Sequence, residues 1–334
     1  MTIIGSEEVQ LLKIARKRAK ATHCMLCGQR MSSPHNSHSV PQMILRSITE
    51  EGWALKTDVI LDPSERTERG EGLNRIGTFF LICSDCDNKV FKSYETRENL
   101  IIPPSQEIMW EIVVKNTLFQ IYESTVDMKY HKLLFNSNPQ NNDARARIPV
   151  AKRDIVSFTA DLDFYKTTRD GFKILFWKLL PYKTPVASQG QLPLVLDMNG
   201  NTINDNFNYQ HRTHSMHLAV LPMENITVVM AFYHERDTEY EKLKNEMRTF
   251  STKRCLQFLN YAVLEYTDNC YFSKRILDLV RKDRLINTVV RENNGLPDRG
   301  VNVHNWAELR WVQNHYKSPD YRIVTNLLDR RYAI

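Results

Sequence analysis

The chain has 334 residues, 42% of them apolar, so it can bury a core without disulfide staples, and its length argues for about two domains. Its 45 basic and 39 acidic residues leave a formal charge of +6, which bears on partners and solubility rather than on fold and is compatible with nucleic acid without requiring it. No run approaches the roughly 20 uninterrupted apolar residues of a membrane-spanning helix, and the N-terminus has no apolar segment followed by a small-residue cleavage site; the expectation is a soluble, cytoplasmic protein with no membrane partner and with reduced cysteines.

Residues 6–20 predict a helix. Ser6, Glu7 and Glu8 open it, Val9, Leu12 and Ile14 face the core, and Arg16, Lys17, Arg18 and Lys20 close it. That basic end lies directly before the first cysteine pair; it is either ordinary dipole complementation on a solvated face or a phosphate-contacting edge of the neighbouring module. Residues 62–74 (DPSERTERGEGLN) predict a surface loop. Pro103 and Pro104 break the chain, so the expected domains are 1–102, which carries both cysteine pairs, and 103–334, with a regulatory, substrate-selecting or oligomerising role.

Ser105 caps a long amphipathic helix with apolar positions at Ile108, Ile112, Val113, Leu118, Ile121 and Tyr122. A polar loop is expected over 136–149, a helix near 153–168, and strands at 172–180, 192–196, 217–222 and 226–233, the last two forming a hairpin around Pro222 to Asn225. Helical patterns follow at 235–266, 272–284, 305–315 and 318–330. The fold class is therefore α+β, with a small antiparallel sheet and several helices in the C-terminal part.

Two Cys-x-x-Cys pairs, Cys24/Cys27 and Cys83/Cys86, supply four thiolates, the set that zinc takes in a closed structural site. Gly28 follows the first pair, where a tight knuckle needs a residue free to take positive φ. Two pairs flanking a hairpin-length segment favour metal over a redox dithiol. Thr78-Phe79-Phe80-Leu81-Ile82 leads into the second pair and a helix-compatible stretch follows it; a knuckle, a hairpin and a cysteine pair opening a helix make a treble clef.

The order Cys24-x-x-Cys27, then Ser37-His38-Ser39-Val40-Pro41, then Leu81-Ile82-Cys83-x-x-Cys86-Asp87-Asn88 resembles the zinc-bearing HNH endonucleases, over about residues 22–96 only. The resemblance implies a ββα-metal core that hydrolyses phosphodiester bonds with Mg²⁺ or Mn²⁺. His38 is then the general base, Asn74 or Asn88 the supporting asparagine, and Asp87 a ligand to the catalytic cation, standing where the family has its terminal histidine. Ser37 stands where the family commonly has an Asp or His ligand. The implied partner is nucleic acid, DNA before RNA, with a second copy of the chain or a partner protein as further expectations and anti-phage defence as the implied setting. The competing reading is a non-catalytic Cys₄ binding module in which His38 only fixes the hairpin.

Other groups carry less. His23 and His35 flank the cysteine site as surplus ligands or solvated loop residues. His211, His214 and His217 lead into a strand, where residues three apart face opposite sides, so convergence on a metal is not expected. His234 to Asp237 predicts a polar strand-to-helix corner. Cys255 and Cys270 are expected as buried thiols on helices. The tryptophans at 53, 110, 177, 306 and 311 are too dispersed for a stacking platform, and the basic runs 13–20, 145–153 and 274–284 line a phosphodiester path only if the fold gathers them.

Overall fold

The computed structural model describes residues 6–57, 59, 68–204, 212–295 and 320–334. After α1 (Ser6–Arg18) the cysteine-bearing section runs β1 (Ser37–His38), α2 (Gln42–Ile48), β2 (Trp53–Lys56), β3 (Glu71–Gly72), β4 (Thr78–Phe79), α3 (Ser84–Val90) and α4 (Arg97–Leu100). Two long helices follow, α5 (Gln106–Ser137) and α6 (Asn142–Thr167), then β5 (Phe172–Leu180), β6 (Val186–Leu192), β7 (Met216–Met223) and β8 (Ile226–His234). Next come α7 (Glu241–Thr249), α8 (Thr252–Tyr266), β9 (Cys270–Phe272), α9 (Leu277–Lys282) and α10 (Arg284–Gly295).

Seven strands form one antiparallel sheet in the order β3-β2-β9-β6-β7-β8-β5, larger than the small sheet expected. A separate pair joins β1 to β4, with His38 opposite Thr78. Along β7, Met216, Leu218 and Val220 belong to one core while Ala219, Leu221 and Met223 belong to the other; β8 alternates in the same way. α1, α2, α5 and the cysteine section cover one face, and α7, α8 and α10 cover the other. Strands buried on both faces appear in sequence as unbroken apolar runs, which is why 217–222 and 226–233 stand out.

The hairpin forms, with Met223 opposite Ile226, and 172–180 is a strand over its whole length. The boundary at 102/103 does not separate two cores. Leu55 of β2 pairs with Phe272 of β9, and one core cluster holds Ile44, Phe79, Ile82 and Phe91 together with Ile112, Leu118 and Tyr271.

Several elements depart from expectation for local reasons. Most of 136–149 is helical, because the Asn141 side chain accepts from the Ala144 N–H and caps α6 early. Of the strand expected at 192–196 only Leu192 is in a strand, as the last residue of β6; residues 193–195 are loop and Leu196 makes an isolated bridge to Thr202. The helix over 235–266 is broken at Phe250 and Ser251, where the serine side chain caps α8. Within the helix expected over 272–284 a 3-10 turn spans Lys274–Ile276 and the α-helix starts at Leu277, and Cys270 lies on a strand. Of the helix expected over 318–330, residues 318–319 lie outside the described residues and 320–329 are turns and loop: Gln257 donates to the Tyr321 carbonyl (3.0 Å) and Asn260 to the Thr325 carbonyl (3.0 Å), so side chains of α8 take carbonyls that a helix would use. On α1 the fully buried position is Ala15, with Ala19 buried just past its end, whereas Ile14 is exposed. Glu71 and Gly72, expected in a loop, pair with β2. The pattern at 305–315, His211, Trp306, Trp311 and residues 62–67 lie outside the described residues.

Candidate functional site: a four-cysteine centre beside an open cleft

The first cysteine pair sits in a tight knuckle in which Cys24 N–H donates to the Gln29 carbonyl and Gly28 N–H to the Cys24 carbonyl, both at 2.8 Å. Gly28 turns the chain with φ +73°. Cys83 precedes α3 and Cys86 lies in its first turn, so the helix start aims the second pair at the first. All four sulfurs lie within 4.8 Å of one another, and Cys27 and Cys83 are 3.9 Å apart. A tetrahedron with 2.3 Å metal–sulfur bonds has edges of about 3.8 Å. Burial pushes the Cys24 thiol up, but backbone donors outweigh it and hold the group at about 7. Burial and the neighbouring thiols drive Cys86 far above the usual thiol range. Four sulfurs this close cannot all ionise without a cation among them, so the donor set fits zinc.

One helical turn past the centre the chain walls an open cleft of about 340 Å³, lined by His35, Asn36, His38, Gln42, Asn74, Asp87, Glu95 and Lys115. β1 supplies His38, the turn before β4 supplies Asn74, α3 supplies Asp87 and α5 supplies Lys115. His38 Nε2 lies 3.0 Å from the Leu73 carbonyl; a carbonyl only accepts, so Nε2 carries the proton and Nδ1 of the neutral ring carries the lone pair. Burial lowers the His38 pKa below the usual imidazole value; the Leu73 bond opposes that shift and the Lys115 charge adds to it.

Asp87 Oδ2 lies 3.3 Å from His35 Nε2, while Oδ1 is buried with no hydrogen-bond partner and has Lys115 Nζ at 3.8 Å. Lys115 also pairs closely with Glu95. Asn36 donates to the Asn74 carbonyl (2.9 Å) and Gln42 to the Asn74 side-chain oxygen (3.3 Å), which ties the two walls together.

A buried polar network fixes the cleft to the sheet. Ser39, next to His38, donates to Asn269 Oδ1 (2.8 Å), the Tyr271 hydroxyl donates to the same oxygen, and Asn269 donates in turn to the Gln189 carbonyl. The Gln189 side chain accepts from the Tyr94 hydroxyl (3.0 Å) and donates to Asn116 (2.9 Å), one residue along α5 from Lys115. Gly77 must stay glycine here: its φ is +61°, and a Cβ would come within 2.4 Å of the Tyr271 hydroxyl and 2.7 Å of Ser39 Oγ.

Of the residues singled out in the sequence, His38, Asn74 and Asp87 share the cleft, whereas Asn88 is exposed on α3 and does not line it. Ser37 is fully buried and points no ligand into the cleft wall; His35, expected on a solvated loop, comes to Asp87 instead. Lys115 and Gln42 carried no signal in sequence, since a lysine inside an amphipathic helix usually marks its solvated side.

His214 and His217, among the described residues, are engaged elsewhere. His214 pairs with Asp237 and Glu239, and His217 is buried, stacked on Phe232 and held neutral by burial at about 3. Among the described residues the four cysteines are the only cluster suited to a metal by this arrangement of donors. Much of the two later basic runs is spent on ion pairs: Arg147 with Asp127, Arg275 with Glu50, Arg281 with Glu68. No helix among the described residues is long and apolar enough to cross a membrane. No family model, curated protein or solved structure matches the chain.

Proposed function

We propose that the chain is an HNH-like endonuclease that hydrolyses phosphodiester bonds of nucleic acid, DNA being the first candidate substrate, with a treble-clef Cys₄ zinc centre supporting the cleft. The observation that carries this reading is the meeting of His38, Asn74 and Asp87, far apart in sequence, on the walls of one open cleft. His38 Nδ1 would accept the proton of the attacking water, and a ring that burial keeps neutral near pH 7 suits that task. Asn74 bridges Asn36 and Gln42 and steadies the loop that holds Leu73 against His38.

Asp87 Oδ1, which accepts no hydrogen bond, and the adjacent His35 ring form a donor set that suits Mg²⁺ or Mn²⁺. Such a cation supplies charge stabilisation for the phosphate and its leaving oxygen.

The runner-up, a non-catalytic Cys₄ binding module, draws on the same His38–Leu73 bond, which would fix the hairpin without any chemistry. Cleavage of plasmid and single-stranded nucleic acid with Mg²⁺, Mn²⁺ or EDTA separates the two, comparing wild type with His38→Ala at equal zinc content. Metal-dependent cutting by wild type that falls by about 100-fold or more in His38→Ala is the expected result. Intact zinc with no cutting by either protein would leave the binding module as the better reading.

A further inference from the structure

Lys115 is the one cleft residue contributed from beyond residue 103, and its side chain is only 1% exposed. Its ammonium contacts Glu95 and lies 3.8 Å from Asp87 Oδ1, 4.4 Å from the Phe91 ring centre and 5.5 Å from that of Tyr94. Burying an ammonium is costly, and Glu95, whose side chain is 38% exposed, has solvent at hand and needs no buried partner. The 3.8 Å approach to Asp87 Oδ1 is too long for a hydrogen bond, so the cost leaves an ammonium with donors to spare on the wall of an open cleft, beside His38. An ammonium has three N–H donors, and Glu95 takes one of them.

We propose that Lys115 is a catalytic residue whose Nζ donates to a non-bridging oxygen of the scissile phosphate and stabilises the charge that builds there. This rests on the hydrolase reading above. The water oxygen bonds to phosphorus as the bond from phosphorus to the bridging sugar oxygen breaks. The water proton goes to His38 Nδ1, and the leaving oxygen takes a proton from solvent. The charges support the role. Two carboxylates and one ammonium line the cleft, a net excess of one negative charge that would repel a phosphodiester, so a donor fixed at the wall beside the scissile oxygen fills a local role that net charge alone does not.

The test uses the full chain loaded with zinc and plasmid DNA with Mn²⁺, and compares wild type, K115M and the double variant K115M/E95Q, with zinc content and melting temperature as checks of the fold. K115M should lose about 100-fold in kcat, as removal of a charge-stabilising donor does, and the double variant should stay as slow. Were Lys115 only a neutraliser of Glu95, removing both charges would restore cutting, and wild-type rates in the double variant would overturn the proposal. Wild-type rates in K115M would overturn it as well, leaving the hydrolase reading intact. Should K115M alone lose zinc, the double variant decides. Absence of cutting by wild type itself would overturn the hydrolase reading and this inference together.

Discussion

Glu111 and Lys115 lie one turn apart on α5, both buried, and they place opposite charges under the same loop. The Glu111 carboxylate accepts from the Tyr94 N–H (2.7 Å) and so anchors the residue before Glu95. Burial raises its pKa from the usual range to about 6, while the Tyr94 N–H and Ser93 pull it back. Folding thus favours the protonated form: its contribution to stability is complete below the unfolded value near 4.5 and is lost as pH rises through about 6. At pH 8 the buried carboxylate costs roughly 2 kcal/mol relative to a neutral group. Glu111→Gln should therefore melt at a higher temperature than wild type at pH 8 and show no such gain at pH 4.5. Scanning calorimetry at the two pH values checks it, and an equal shift at both would rule out charge as the cause. Neither residue was legible in sequence: on a helix with apolar positions at Ile112, Val113 and Leu118, a Glu and a Lys look like its wet side, and only the cysteine section packed over them makes that side interior.

The knuckle and α3 show what a short-range pattern can and cannot carry. Both cysteine pairs and the positive φ of Gly28 were legible because a two-residue spacing fixes a turn and a turn fixes where sulfurs point. The cleft beside them was legible only in part. His38 and Asp87 lie near the motif that flags them, whereas the approach of His35 to Asp87 depends on the His35 N–H reaching the Ile82 carbonyl (3.0 Å), a pairing across the hairpin that no local rule specifies. The four-cysteine centre joins these pieces, so Cys24→Ser should cost more than one bond. Binding free energies of structural zinc run to about 10–16 kcal/mol in small zinc-binding peptides, and much of that is folding energy. The variant is expected to lose its zinc and its cooperative unfolding of this section, as read by metal analysis and thermal melting. One equivalent of retained zinc with an unchanged melting temperature would refute a four-thiolate structural site.

At the scale of the molecule, the proline pair at 103 and 104 marks a real break in helix but not in core. β2 adds to the main sheet through β9, Ser39 reaches Asn269, and Lys115 completes a cleft whose other lining residues all precede the break. Sequence punctuation reports where the backbone turns; which apolar faces meet afterwards is decided by pairings such as Leu55 with Phe272 that are distant along the chain. A fragment of residues 1–102 would leave uncovered Ile44, Leu45, Ile48, Phe79, Ile82 and Phe91, all buried in the full chain. At about 1.5–3 kcal/mol for each side chain, that loss is on the order of 10 kcal/mol, comparable with the whole stability of a typical domain. The fragment should thus bind zinc through its knuckle and helix start, yet melt without a cooperative transition and cut no DNA even where the full chain does. A sharp transition together with dispersed amide resonances in the fragment would mean that the cysteine section folds alone, and that the sheet and α5 serve it only as a platform.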